Sequence, residues 1–288
     1  MAARRVIRVG TRFELIPLRF GFTARQSIHF PAGKASNVLR GAFGMALERV
    51  ASAPESARIF RPHAGEGPSG LADPPRPFVF RARHLDGVTI PAGGAFHFDV
   101  HLFTLNPLAR ECLVRAFDEA GREGLGPGRG RADLDQPAGQ GEVVSIDLAP
   151  AATAPARIGV EFVTPTELKH EGRIVERPEF AVLFARVRDR VSTLRALYGG
   201  GPLEIDFQAA GARASAVRMT RCELRRVEVE RRSSRTGQSH SIGGFTGFAE
   251  YEGELAEFLP YLEAARWTGV GRQAVWGKGE IAVIGISA

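Results

Sequence analysis

A histidine among basic residues can move a proton beside a developing negative charge. Imidazole titrates near about 6.5, and a neighbouring cation stabilises the anion it faces. His29 has such a setting, with Arg25 and Gln26 before it and Lys34 after it, so one loop can supply both proton transfer and charge stabilisation. Between Ile28 and Phe30 it can equally be a strand-end residue with no chemical role. His240, in Gln238-Ser239-His240-Ser241, is placed to touch a ligand or simply to be solvated, and His170, in Lys169-His170-Glu171-Gly172, reads as part of a turn. His97, Asp99 and His101 alternate with Phe96, Phe98, Val100 and Leu102, which puts all three on one strand face. That face is either an ordinary polar exterior or a set of three zinc ligands.

Near the C-terminus the chain reads Gly269-Val270-Gly271-Arg272-Gln273-Ala274-Val275-Trp276-Gly277-Lys278-Gly279. Glycines let main-chain N–H groups approach a phosphate chain closely, and Arg272 and Lys278 supply countercharge. Trp276 either stacks on a base or anchors the loop by packing. Upstream, Arg225, Arg226, Arg231, Arg232 and Arg235 crowd a strand and its hairpin, interleaved with Glu223, Glu228 and Glu230. This is either a phosphate-facing surface or a solvated charged strand.

The 288 residues carry 38 basic against 32 acidic side chains, a formal net charge of +6. A pI near 10.0 favours a polyanionic partner, nucleic acid first. Lys34, Lys169 and Lys278 are the only lysines; the remaining basic residues are arginine, which binds phosphate bidentately and stacks on bases. A compositional bias of the genome gives the same enrichment. With only Cys112 and Cys222, a disulfide framework and a cysteine-based zinc site are excluded. The N-terminal segment lacks the apolar core of a signal peptide and no run approaches about 18 apolar residues. A cytoplasmic protein without a membrane partner is the expectation.

Positioning these residues requires two halves of one plan. Ala149-Pro150-Ala151-Ala152-Thr153-Ala154-Pro155 reads as a linker, dividing the chain into residues 1–150 and 151–288. In the first half, Phe13 to Phe20, Phe78 to Leu85, Phe96 to Phe103 and Glu142 to Leu148 read as strands. Helices follow a Ser36 cap and span Leu105 to Ala120, giving βαββαβ. The second half has strands at Arg157 to Val163, Met219 to Glu230, Phe245 to Tyr251 and Ile281 to Ile286. A bulge is expected between Leu224 and Val227. A helix begins after Pro178 and ends at Gly199-Gly200-Gly201, and another runs from Leu255 to Ala265 with Pro260 in its first turns. Gly124 to Gly130 repeats the C-terminal glycine loop in the same place. The fold class is therefore α+β, two tandem ferredoxin-like (βαββαβ, RRM-like) domains, with residues 51–77 an irregular Pro/Gly-rich insertion in the first.

With that plan in view, the chain resembles the CRISPR repeat-processing endoribonucleases of the RAMP superfamily. The resemblance is most specific from Arg232 to Ile284. It rests on Arg232-Ser233-Ser234-Arg235, Gly243-Gly244-Phe245-Thr246-Gly247, Tyr251-Glu252-Gly253-Glu254-Leu255, Phe258-Leu259-Pro260-Tyr261-Leu262 and the C-terminal glycine loop. Leu39-Arg40-Gly41-Ala42-Phe43-Gly44, Gly124 to Arg131 and Thr164-Pro165-Thr166-Glu167-Leu168-Lys169 add to it. What the resemblance implies is metal-independent cleavage of precursor CRISPR RNA within its repeats, without cofactor. A 2′-hydroxyl attacks the adjacent phosphate to leave a 2′,3′-cyclic phosphate and a 5′-hydroxyl. His29 and Lys34 are the catalytic candidates. RNA contacts are expected from Arg25, Arg40, Arg225, Arg232, Arg235, His240, Gly269, Gly271, Arg272, Gly277, Lys278 and Gly279. The alternative is a non-catalytic RNA-binding subunit of a CRISPR effector complex. Expected partners are repeat RNA and other effector subunits, with the chain itself a monomer or homodimer.

Overall fold

The computed structural model describes residues 11–62, 74–136, 141–228, 230–232, 239–241 and 243–286. Its first strand, β1 (Arg12–Ala24), alternates buried and open positions but changes face midway. Phe13 and Leu15 enter one core, whereas Ile16, Leu18, Phe20, Phe22 and Ala24 enter another. After it come β2 (Ile28–His29), α1 (Ala35–Val50), α2 (Ala53–Phe60), β3 (Phe78–Arg81), β4 (Thr89–Ile90), β5 (Ala95–Leu102), α3 (Pro107–Glu123), β6 (Ala132–Gln136) and β7 (Val144–Asp147). The main sheet runs β3-β5-β1-β6 with antiparallel ladders. Apolar residues at helical spacing on α1 and α3 cover its face. Phe117 of α3 is central to that core, with ring centroids 4.6 Å from Phe20, 5.1 Å from Phe43 and 4.9 Å from Phe98.

The second half comprises β8 (Arg157–Thr166), β9 (Lys169–His170), β10 (Arg173–Ile174), α4 (Phe180–Tyr198), α5 (Phe207–Ala214), β11 (Arg218–Val227), β12 (Glu230–Arg232), β13 (Ser239–Ser241), β14 (Gly244–Glu252), α6 (Leu259–Thr268) and β15 (Ile281–Ile286). Its sheet order, β11-β14-β8-β15, repeats that of the first half strand for strand. The chain is thus an α+β protein of tandem ferredoxin-like halves. α4 buries Phe180, Leu183, Phe184, Val187, Val191 and Leu194 and ends at Gly199. Pro260 lies in the first turn of α6, where its missing N–H is not needed. Among the described residues no helix is long and apolar enough to cross a membrane.

Several expectations need correction. The segment from 51 to 77 is not wholly irregular: α2 forms there behind a capping box in which Ser52 and Glu55 satisfy each other's backbone N–H groups. The closing strand of the first half is two pieces, because β6 pairs with Gly21–Ala24 and β7 with Arg12–Leu15, on either side of the face change in β1. Ser36 does not cap α1. Lys34 occupies the cap position without a side-chain bond, and Asp86 Oδ1 accepts the Ala35 N–H at 2.8 Å instead. The strand from Phe78 stops at Arg81 and turns into a 3₁₀ segment, Arg83–Leu85. The β11–β14 ladder slips between Met219 and Arg221, not between Leu224 and Val227. α5, capped by Asp206, has too few residues for a periodic signal.

The two halves share a core, since Phe13, Leu15, Val79, Phe103 and Leu148 pack with residues of the second half. Beside it, polar side chains gather on the last carbonyls of α6. Arg81 donates to those of Arg266 at 3.2 Å and Trp267 at 3.0 Å, and Arg190 donates to that of Thr268 at 3.0 Å. The dipole at a helix C-terminus favours such cations. His101 donates from Nδ1 to the Trp267 carbonyl at 2.9 Å, its ring against the indole. Burial, with Arg81 adding to it and Asp99 opposing, lowers the His101 pKa to about 4. The unfolded chain therefore binds the extra proton first. Stability from this site is fully present above about pH 6.5 and is lost as pH falls towards 4, by up to about 3 kcal/mol. Urea unfolding at pH 7 and 4.5 should show this loss in the native protein and a smaller one in His101→Gln.

Candidate active site

The sequence Arg25-Gln26-Ser27-Ile28-His29 leaves β1 and is held by the glycine loop that follows α3. Arg25 and Gln26 donate their N–H groups to the Arg131 carbonyl at 2.8 and 3.2 Å, and Gln26 Oε1 accepts the Arg131 N–H. Gly126, with φ of +75°, lies so near that a Cβ there would come within 2.6 Å of the His29 carbonyl oxygen. Both the angle and the space require glycine at that position. Gly130 faces the Ser27 carbonyl in the same way.

His29 is exposed, directly opposite Thr89 in the short β2–β4 ladder, and its Nδ1 lies 2.9 Å from Thr89 Oγ1. Nε2 makes no hydrogen bond among the described residues. Arg129 and Arg131 are exposed beside this segment and, like Lys34, make no ion pair among the described residues. Arg129 sits at φ of +49°, an uncommon conformation for a residue with a side chain. By contrast, Arg25 is paired with Asp133 at 2.5 Å. Arg129 and Arg131 carry no local signal of their own beyond flanking Gly130, in the loop that is the counterpart of the C-terminal one. Thr89 and Asp86 had no local signal, because each acts across a long sequence separation.

The C-terminal glycine loop turns inward. Its stems bond to the end of β8, through Arg272 N–H to the Glu167 carbonyl and Gly279 N–H to the Pro165 carbonyl. Gly269 faces the carbonyls of Lys278 and Gly279, Gly271 that of Glu167, and Gly279 that of Val270. Gly277, with φ of +73°, lies against Ser36 of α1, where an added Cβ would stand 2.7 Å from the serine Cβ. Lys278 is 5% exposed and donates to the Gly33 carbonyl at 3.1 Å. Burial lowers its pKa, opposed by Asp86, while burial raises that of Asp86 itself. Arg272 pairs with Glu167 at 2.6 Å. Trp276 packs under the Arg40 guanidinium, 5.4 Å from the ring centroid, and Arg40 also covers Phe60.

The structure therefore holds the Arg25–His29 backbone on the first-half glycine loop, and the Gly33–Ser36 segment against Gly277, Lys278 and Asp86. Arg225, exposed on β11 and bonded to Thr246 Oγ1 at 3.3 Å, lies at the same end of its sheet as Glu167 and Gly271. Arg235 falls outside the described residues, as do the side chains of Arg232 and His240, although β12 and β13 do pair as a hairpin. His97, Asp99 and His101 do not converge. Asp99 is bidentate to Arg19, His97 stacks on His84, and His101 is committed to Trp267. Among the described residues no cluster of three metal-ligating side chains occurs.

Residues 160–281 match the family described as CRISPR-associated endoribonuclease Cas6, and residues 13–146 match the N-terminal domain family AF_1859_N. Among solved structures the fold is similar to the Thermus thermophilus Cas6 (TTHB231) product complex. The two chains are 20% identical with a TM-score of 0.59, covering 94% of this chain and 100% of that one. A Cas6 (TTHA0078) product complex is similar at 20% identity and a TM-score of 0.55, covering 94% and 99%. A partial Cas6-RT-Cas1–Cas2 complex is similar at 10% identity and 0.59, covering 96% of this chain and 47% of that one. With TM-scores above 0.5 at these low identities, what is shared is the fold. No curated protein matches the chain.

Gly126→Ala should push the loop off the His29 carbonyl. The expected outcome is a loss of about 1–3 kcal/mol in urea unfolding together with a shifted His29 imidazole NMR signal. Gly128→Ala, at a position with nothing within 4 Å of an added Cβ, should change neither.

Proposed function

We propose that this member of the Cas6-type family of CRISPR repeat RNA-processing proteins cuts repeat RNA at the His29 loop, without a metal ion. The observation that carries the reading is the exposed imidazole, fixed through Nδ1 by Thr89, on a segment whose backbone packs against the loop bearing Arg129 and Arg131, cations that, like Lys34, make no ion pair among the described residues. The nearby carboxylates are already engaged, Asp133 by Arg25 and Asp86 by the Ala35 N–H, so the donor set suits an anion better than a cation.

In this reaction a 2′-oxygen bonds to the adjacent phosphorus as it loses its proton. The bond from phosphorus to the 5′-oxygen breaks, and that oxygen takes up a proton. The products are a 2′,3′-cyclic phosphate and a 5′-hydroxyl. His29 Nε2 serves proton transfer, worth about 10²–10⁴-fold for a positioned side chain. Lys34 and the two loop arginines face the negative charge that grows on phosphorus. The RNA strand then continues towards Arg225 and the β12–β13 hairpin. Association with other CRISPR proteins belongs to the same proposal, on the fold shared with the Cas6-RT-Cas1–Cas2 complex.

A second reading is an RNA-binding subunit that does not cut. It is favoured by one observation, that His29 is oriented by a threonine hydroxyl, with no carboxylate among the described residues bonded to its ring. Labelled repeat RNA incubated with protein in EDTA separates the two: a single product ending in a cyclic phosphate supports cleavage, and tight binding with no product supports the subunit. His29→Ala should slow single-turnover cleavage by at least about 10²-fold with the Kd changed by less than about threefold. Arg129→Ala and Arg131→Ala should each weaken binding and lower the slope of log affinity against log salt by about 1.

A further inference from the structure

The C-terminal glycine loop reaches across to the other half at the point where the chain passes from His29 to α1. Three contacts meet there. Gly277 lies on Ser36, in the first turn of α1. Lys278, a buried residue, donates from its ammonium to the carbonyl of Gly33. Asp86, near enough to Lys278 for each charge to favour the other, accepts the Ala35 N–H. Within the segment they grip, the Lys34 N–H donates to the Pro31 carbonyl at 3.0 Å, but Lys34 makes no side-chain cap and Gly33 stands at φ of +68°. A buried ammonium needs an acceptor and a favourable charge nearby, and here the Gly33 carbonyl accepts while the Asp86 carboxylate, which also holds the first N–H of the helix, supplies the charge.

We propose that Lys278 is a positioning residue: with Asp86 it fixes the Gly33–Ala35 backbone from the opposite half, and so sets Lys34 relative to His29 for the reaction proposed above. The proposal rests on that reading for its catalytic consequence but not for its structural one. Lys278 thus acts through Lys34, its ammonium turned away from any RNA. The adjoining turn Ala274–Trp276 makes the linkage rigid, as Ala274 belongs to the core of the second half while Val275 packs on that of the first. A displacement of the catalytic loop by about 1 Å is enough to slow a positioned reaction by about 10²-fold.

The test uses Lys278→Met, which keeps the aliphatic stem and removes the charge, and Asp86→Asn, which keeps an acceptor for Ala35 and leaves Lys278 without its anion. In hydrogen exchange of the free full-length protein, both variants should speed the amides of residues 34–37 by about tenfold or more, while those of β14 change by less than about threefold. In single-turnover cleavage of repeat RNA, Lys278→Met should lose about 10²-fold in rate with the Kd within about threefold. The double variant should be no slower than the worse single one. Unchanged exchange at residues 34–37 in both variants overturns the proposal. So does a weakened Kd with a salt slope reduced by about 1, which marks Lys278 as a phosphate contact. If the native protein binds RNA but does not cut it, the cleavage reading fails alone and the exchange comparison still decides the role of Lys278.

Discussion

The contact between the C-terminal glycine loop and the start of α1 is the constraint on which the site depends. It requires a residue without a side chain at Gly277, since Ser36 occupies the space a Cβ would take, and a buried cation at Lys278 to satisfy the Gly33 carbonyl. Neither requirement is local to one half. The loop is anchored by backbone bonds to the end of β8, yet its tip packs on Ser36 and bonds to the Gly33 carbonyl, at the segment between His29 and α1. Glycine spacing that reads as a phosphate cradle here serves close packing of protein on protein.

The same seam continues along α6. Arg81 and His101 from the first half, with Arg190 from α4, converge on three successive carbonyls where the helix ends and the glycine loop begins. The helix dipole and the unmade hydrogen bonds of its last turn make this a favourable place for donors. The alternating face of β5, which pattern alone leaves open between solvent and metal, is divided by the fold among three neighbours: Arg19, His84 and the end of α6. Two repeated halves are thereby locked in one relation, with the first-half glycine loop and the His29 segment left open to solvent.

The repeat was legible because each half alternates apolar residues along its strands and spaces them at helical periods on two helices. The long helix ending at Gly199 and the closing strand Ile281–Ile286 follow directly from such patterns. What stayed hidden depends on contacts distant in sequence. The split of the closing strand follows from a face change in β1 between Leu15 and Ile16 that is visible only once two cores exist. α2 carries a capping box in plain view, but its proline and small residues resemble loop composition. Local charge and spacing single out His29 and Lys34 as candidates. Thr89, Asp86, Arg129 and Arg131 came to light only through the backbone that folds them beside that loop, and the inward turn of Lys278 has no sequence signature.

In the proposed reaction RNA is cut at the His29 segment and its glycine loop, with the C-terminal loop behind it as support. A photoreactive amino acid in place of Gly128, an open position at the tip of the first-half loop, tests this most directly when compared with one at Ile284, 47% exposed on the far strand of the other sheet. Cross-links to repeat RNA should form from position 128 at the nucleotides flanking the cut, and not from position 284. Cross-links at those nucleotides from position 284 alone would contradict the account.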